Sequence, residues 1–436
     1  MSIDLSKYRV IAQQSDSLSY SGKVTMIAGL TVEASGPAVQ LGELCRIYPL
    51  RGDDFILSEV VGFRDKNILL MPFGDLSGVG PGSRVEATNK RLRAGVGEEY
   101  IGRVVDGLGI SMDDGPAIIP TKFYSLENDP PNALTRPRIH DILPLGVRAI
   151  DGFLTCGRGQ RIGVFAGSGV GKSTLMGMIA RYAKSDINVI TLVGERGREV
   201  RDFLERDLKE EGLQRSVLVI ATSDQPALIR AKAAQTGTAI AEYFRDQGKN
   251  VLFMMDSLTR YAMAQREIGM AVGEPPVSRG YTPSVYTVMP RLLERTGTSP
   301  KGSITALYTV LVEGDDLNEP ITDTARGILD GHIVLSRQLA NRNHYPAIDI
   351  LASVSRLMPD IASLEHYTKS NKIKNLIAVQ RDAQDLVNIG AYVAGSNPEI
   401  DIAIKMAPKI NDILVQSVDD YTSFNDTLAR MNDIET

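Results

Sequence analysis

The chain has 436 residues, enough for two or three domains, with 43% hydrophobic and 23% charged residues, the balance of a globular protein with a sizeable core. Its net charge of −5, without a block of Lys and Arg, argues against nucleic-acid binding, which needs a concentrated basic face. The two cysteines, Cys45 and Cys156, lie far apart and fit a reducing compartment rather than a disulfide framework.

The N-terminus, MSIDLSKYRV, lacks the apolar stretch of a signal peptide, and no apolar run approaches the ~20 residues of a membrane helix. Work at a membrane would therefore depend on partners. Leu5, Tyr8 and Ile11 are spaced as a weak apolar stripe in a leader of residues 1–19. Short alternating runs come next. Leu30 to Ala34 reads as a half-buried strand and Ile68 to Met71 as an apolar one, with turns at Gly78, Gly80, Pro81 and Gly82. Several short strands at close spacing predict a small β-barrel over residues 20–92.

Asp129-Pro130-Pro131-Asn132, with Pro137 and Pro144 beyond it, reads as an extended connector inside a domain of residues 93–360. From Arg161 onward, apolar runs (Ile162–Phe165, Val189–Val193, Val217–Ile220, Val251–Met255, Ile304–Leu311) alternate with helical stretches such as Thr238–Arg245. That alternation predicts an α/β fold with a parallel sheet covered on both faces. Residues 361–436 read as helical. Leu386, Ile389, Gly390 and Val393 share one spacing, and Ile410, Ile413 and Leu414 repeat it after Pro408 breaks the chain. His140, His332, His344 and His366 show no metal-ligand spacing.

Ala166-Gly167-Ser168-Gly169-Val170-Gly171-Lys172-Ser173-Thr174 comes after an apolar strand and opens a helix, the context a phosphate-binding P-loop requires. Glycines let backbone N–H groups turn inward on phosphate oxygens, and the helix N-terminus adds positive partial charge. Lys172 would meet the β- and γ-phosphates, and the Ser173 hydroxyl a Mg²⁺ ion. Ala166 stands where the usual pattern has glycine, which is tolerable if its φ is negative. The run Val251–Met255 ends in Asp256, a carboxylate suited to the Mg²⁺ shell, through water. Glu195 comes after another strand, where it is either the residue that orients the attacking water or part of a solvated charge cluster.

GVFAGSGVGKSTL (163–175), VGERGREVRDFL (193–204), LFMMDSLTRYA (252–262) and LASVSRL (351–357) resemble the rotary-type hexameric ATPases, and most of all those of type III protein export. GVRAIDGFLTCGRGQRIG (146–163) and GEPPVSRGYTPSVY (273–286) are similar to the flagellar branch. The resemblance implies a small N-terminal β-barrel, a central P-loop (RecA-like) parallel-sheet domain and a C-terminal helical domain. It implies a homohexamer that binds ATP with Mg²⁺ at its interfaces. By motif match, Glu195 polarises the hydrolytic water, Arg196 and Asp256 support the γ-phosphate region, and Arg356 is the finger inserted by a neighbouring chain. Such a finger is worth ~10³ to 10⁵ in rate in related enzymes. Tyr345 matches the aromatic that packs on adenine, with ordinary core packing as its other reading, and Tyr392 is a second such candidate.

The implied partners are a stalk-like regulator, a coiled-coil central stalk, an export gate at the membrane, and chaperones with their substrates. The expected location is the cytoplasm, at the inner membrane through those partners. A virulence secretion ATPase, a catalytic subunit of a rotary ATP synthase, an RNA-dependent translocase and a non-catalytic scaffold are the competing readings. The acidic chain counts against the translocase and Glu195 against the scaffold.

Overall fold

The computed structural model describes residues 20–435 except Asp53, Glu313, Asp315, Leu317 and Asn318. The leader 1–19 and its stripe Leu5, Tyr8 and Ile11 lie outside the described residues. The chain divides into two compact units, residues 1–92 with Glu267–Pro275, and the remainder.

In the first unit, β1 (Ser21–Ala28), β2 (Thr31–Ser35), β3 (Glu43–Ile47), β4 (Ile56–Arg64), β5 (Asn67–Pro72) and β6 (Arg84–Arg91) close a barrel in the order β1-β2-β5-β4-β3-β6. Every neighbouring pair is antiparallel, and closure leaves no open edge. Val24, Val32, Ala34, Cys45, Ile47, Val60, Ile68, Leu70 and Val85 fill the interior. β2 departs from the half-buried expectation: Thr31, Val32, Glu33 and Ala34 are all buried. The polar position is satisfied internally, because Arg64 Nη1 reaches the Glu33 carboxylate at 2.5 Å.

The second unit is built on a sheet that runs β17-β16-β10-β15-β13-β11-β12-β8, with the short β14 (Gly297–Thr298) beside β15. The strands are β8 (Val104–Asp106), β10 (Arg161–Ala166), β11 (Ile187–Glu195), β12 (Ser216–Thr222), β13 (Asn250–Asp256), β15 (Ser303–Leu311), β16 (Gly331–Leu335) and β17 (Val354–Ser355). β7 (Arg93–Val96) and β9 (Lys122–Ser125) form a separate ribbon. From β8 to β16 the main ladder is parallel, while β14 and β17 are antiparallel. β11, β13 and β15 are buried along almost their whole length, as strands covered on both faces must be. Parallel order brings the carboxyl ends of β10, β11 and β13 to one edge, and that edge positions the site.

The C-terminal helices Leu364–Asn388, Pro398–Leu414 and Phe424–Asn432 pack onto the same unit. Arg148, its side chain buried, grips them. Its Nε donates to the carbonyl of Ile413 (3.0 Å) and its Nη1 to Asp420 (2.6 Å) and Thr422 (2.9 Å), while its backbone N–H donates to Gln416 Oε1 (2.8 Å). A guanidinium at the end of helix Pro398–Leu414 thus satisfies carbonyls the helix leaves open and opposes its dipole.

Two sequence expectations fail here. Pro408 does not break the chain: it lies inside helix Pro398–Leu414, which is held by the buried Ala403, Met406, Ile410, Ile413 and Leu414. The stripe Leu386, Ile389, Gly390 and Val393 is no helix face either. The helix ends at Asn388, Gly390 takes φ 71°, and Ile389 and Val393 are 75% and 70% exposed.

Glu242 and Arg295 form a buried bidentate pair, with both bonds at 2.8 Å, and Arg295 also donates to the Leu126 carbonyl. Glu242→Ala strands the guanidinium and is expected to cost about 3–5 kcal/mol. Replacing both residues with Met is expected to cost less than the single change, as read by urea unfolding midpoints.

Candidate active site

The loop from Gly167 to Gly171 joins β10 to helix Lys172–Tyr182. Ala166 is the last residue of β10 and is not among the positive-φ residues, so the missing glycine carries no strain. Gly169 (φ 75°) and Gly171 (φ 88°) occupy the left-handed region, where a side chain would be strained. Ser168 and Gly169 are exposed, whereas the Val170 side chain is buried in the core and anchors the loop, leaving only its backbone for a ligand. No side chain caps the helix N-terminus, so its first amides are left to an anion.

Lys172 Nζ touches Asp256 Oδ1 and lies 3.5 Å from Glu195 Oε1. Burial works against its charge, but the two carboxylates outweigh that and raise its pKa. Thr309 on β15, the strand between β10 and β13, donates its hydroxyl to Asp256 Oδ1 at 2.7 Å. Glu195 is held up at about 7, first by burial, then by the neighbouring Asp256 charge, with Lys172 opposing. Its hydrogen bond with Glu199 raises it further and lowers Glu199.

Arg260 packs its stem against Gly194, whose added Cβ would lie 3.1 Å from Arg260 Cβ, and its buried Nε has no hydrogen-bond partner among the described residues. A buried donor without a partner suits a ligand oxygen. Ser173, next to Lys172, and Asp256 fit a Mg²⁺ ion that keeps waters and takes phosphate oxygens. Among the described residues no group of three acidic, His or Cys side chains forms a protein-only metal cage.

The Tyr345 ring stands beside the loop, its Cε1 3.3 Å from the Cβ that Gly171 lacks, and the residue is 41% exposed. Gln416 donates its backbone N–H to the Tyr345 carbonyl at 2.9 Å. Tyr392 is not joined to this cluster by any hydrogen bond described: its hydroxyl meets the Asn397 carbonyl (3.0 Å) and the Asp401 carboxylate (2.9 Å). Arg196 points to solvent and pairs with Glu199 at 3.0 Å. Arg356 is exposed beyond edge strand β17, with its Nη2 on the Arg326 carbonyl at 3.1 Å. Sequence reasoning missed Arg260, Glu199 and Thr309. Arg260 is four residues past Asp256 at the start of helix Leu258–Val272, and Glu199 four past Glu195, spacings that could have flagged both. Thr309 requires the strand register and has no local signal.

Residues 24–89 match the β-barrel domain of the ATP synthase alpha/beta family, and residues 146–355 its nucleotide-binding domain. Residues 362–433 match the C-terminal domain of the type III secretion ATPase EscN. A flagellum-specific ATP synthase of Bacillus subtilis (strain 168) is 54% identical over 97% of both chains. The chain belongs to the type III export ATPase family. It is an ATP-hydrolysing enzyme. A type 3 secretion system ATPase of Xanthomonas euvesicatoria is 48% identical, over 95% of this chain and 93% of the other. The assembled ATPase EscN of enteropathogenic E. coli superposes with a TM-score of 0.89 at 47% identity, covering 95% of this chain and 99% of EscN. EscN has also been solved in complex with its central stalk EscO, a structure with a TM-score of 0.88 to this chain. Among the described residues of this export ATPase, no helix is long and apolar enough to cross a membrane.

A carboxyl that must be ionised to orient water limits turnover in acid. With Glu195 at about 7, a water-orienting role for it predicts that kcat/KM for ATP falls as pH drops through about 7. Glu195→Gln removes that limb, which a pH–rate profile of both proteins checks.

Proposed function

We propose that this chain hydrolyses Mg-ATP as a homohexameric ring that energises flagellar type III protein export. The observation that carries the reading is the meeting of Lys172, Glu195 and Asp256 at one sheet edge, together with an exposed Arg356 on the same chain. Lys172 and the backbone of Gly167 to Thr174 bind the phosphates. Ser173 and Asp256 would hold Mg²⁺, whose charge would offset that developing on the phosphates. Glu195 orients the attacking water, and Arg356 reaches a neighbour's site. A chain that carries both halves of a shared site needs no second subunit type, and head-to-tail contacts close such chains into a ring. Tyr345 supplies the adenine face. Arg196 and Tyr392 fit this scheme less well, since each is already paired elsewhere.

The flagellar branch is favoured by the 54% identity to the flagellum-specific relative, against 48% to the secretion relative. Work at the cytoplasmic side of the membrane, on a central stalk, a stalk-like regulator, an export gate and chaperoned substrates, is inferred from membership and from EscN's complex with EscO.

The test is ATPase rate per chain against protein concentration, with particle mass followed in parallel. A steep rise as a hexamer forms is expected, and a chain that binds ATP but stays inert at every concentration would sink the one-chain reading. Lys172→Ala should abolish turnover. Glu195→Gln should spare ATP binding and reduce turnover by at least about 10³-fold. Mixing Arg356→Ala chains with Lys172→Ala chains should restore part of the activity, because each supplies the half the other lacks.

A further inference from the structure

The segment that carries Arg356 is fixed by residues far from it in the sequence. β17 lies against the start of β16, with Ser355 opposite Gly331 and Val354 opposite His332. The approach is close: a Cβ added at Gly331 would lie 2.5 Å from the Val354 carbonyl oxygen and 3.1 Å from Ser355 Cα. The Arg356 backbone N–H donates to the Asp330 carbonyl at 3.0 Å. Asp330 is itself held by Arg161, whose backbone N–H and Nε donate to its carboxylate at 3.0 and 3.1 Å. Gln160, fully buried and directly before β10, joins these parts. A glutamine amide has two N–H donors and an acceptor oxygen, and here each finds a partner. Nε2 donates to the Asp330 carbonyl (3.0 Å) and to Ser355 Oγ (3.1 Å), and Oε1 accepts from the Gly157 N–H (2.8 Å). The Ser355 hydroxyl in turn donates to the Thr155 carbonyl at 2.9 Å. One amide thus holds both the carbonyl that accepts the Arg356 N–H and the side chain one position before it.

We infer that Gln160 is a positioning residue for Arg356, a buried amide that sets where the guanidinium stands for the neighbouring chain. The Arg356 side chain is exposed, so its reach is set by the backbone it hangs on. A finger must meet charge that develops at one spot, and an error near 1 Å costs about 100-fold in rate. Without the amide, the Ser355 hydroxyl and the Gly157 N–H lose a buried partner, and the strand before Arg356 is free to shift. β10 therefore serves two sites. Its last residue leads into the loop for this chain's own phosphates, and the residue before its first supports the finger offered to the next chain. A fault at Gln160 is felt in the neighbour's site rather than its own. This inference rests on the role proposed for Arg356.

The test uses the full chain at concentrations where the ring is complete, with particle mass followed alongside. Gln160→Met keeps the volume and removes the amide. Its kcat is expected to fall about 10- to 100-fold, with ATP affinity within about twofold of the parent. Ser355→Ala removes only the hydroxyl that Gln160 holds, and a loss of about 3- to 10-fold is expected. Mixed rings separate a finger defect from any other. Gln160→Met chains mixed with Lys172→Ala chains should exceed the weighted mean of the two parents, since the Lys172→Ala chain brings a sound finger to a sound site. Mixed with Arg356→Ala chains they should gain nothing, because neither chain brings a sound finger. A gain with Arg356→Ala chains would show a working finger on the Gln160→Met chain and a fault in its own site, and would overturn the assignment. So would an unchanged kcat, or no gain with Lys172→Ala chains. Where Gln160→Met does not assemble, Ser355→Ala goes through the same two mixtures and the same outcomes decide. Arg356→Ala mixed with Lys172→Ala is the control. No gain there, with mixing proven, sinks the finger reading itself. A gain there that Gln160→Met does not share sinks only the positioning role.

Discussion

A lysine ammonium buried at the carboxyl edge of a parallel sheet must have partners, and Lys172 has two. Asp256 and Glu195 come from β13 and β11, neighbours whose register sets Leu192 opposite Asp256. Glu195 reaches the same point because the β11–β12 ladder shifts between Val193 and Glu195. The strand order, the burial of β11, β13 and β15, and the uncapped start of helix Lys172–Tyr182 all serve this meeting of charges. Phosphate oxygens would compete for the same ammonium, and a bound cation would then take over the charge balance of Asp256. The arrangement therefore stores its ligand's electrostatics as an internal ion cluster, in a setting where an unpaired charge would be prohibitive.

The helix that carries Lys172 is held along its length. Midway, Gly177 leaves room for the close approach of Asp207. At its far end Arg181 pairs with Asp419 (3.0 Å) and donates to the Val418 carbonyl (2.8 Å), which also accepts from the Tyr182 hydroxyl (2.9 Å). Lys209, just past the π-helical turn Phe203–Leu208, meets the same Asp419 carboxylate at 2.6 Å. The phosphate-binding helix, the helical segment that comes after Glu195 and the segment after helix Pro398–Leu414 therefore meet at Asp419.

Much of this could be read from residue order alone. Apolar runs ending in Asp256 and Glu195 gave both carboxylates, because a buried parallel strand leaves its chemistry at its carboxyl end. The loop from Gly167 to Lys172 was legible because glycine, lysine and serine at that spacing carry a mechanism. Tertiary pairing was not legible. Glu33 looked like the wet side of an alternating strand, yet it is buried and paired with the half-exposed Arg64. Pro408 read as a breaker because propensity is local, while the buried face of its helix is not. Thr309 had no signal because its partner is on another strand. Arg148 sat in a quoted motif with no assigned task, its partners lying more than 260 residues away.

One small bond has a mechanical meaning. The backbone of Gln416 holds the Tyr345 carbonyl, its side chain donates to the Gly146 carbonyl at 2.9 Å, and it comes directly after the helix end that Arg148 grips. Any displacement of that helix end tugs on the ring beside the phosphate loop. On the proposed reading of Tyr345, nucleotide affinity and the stance of the C-terminal helices are two faces of one equilibrium. Thermodynamic reciprocity then makes a load on those helices felt as a change in ATP affinity, and ATP binding felt as a force on whatever the helices touch.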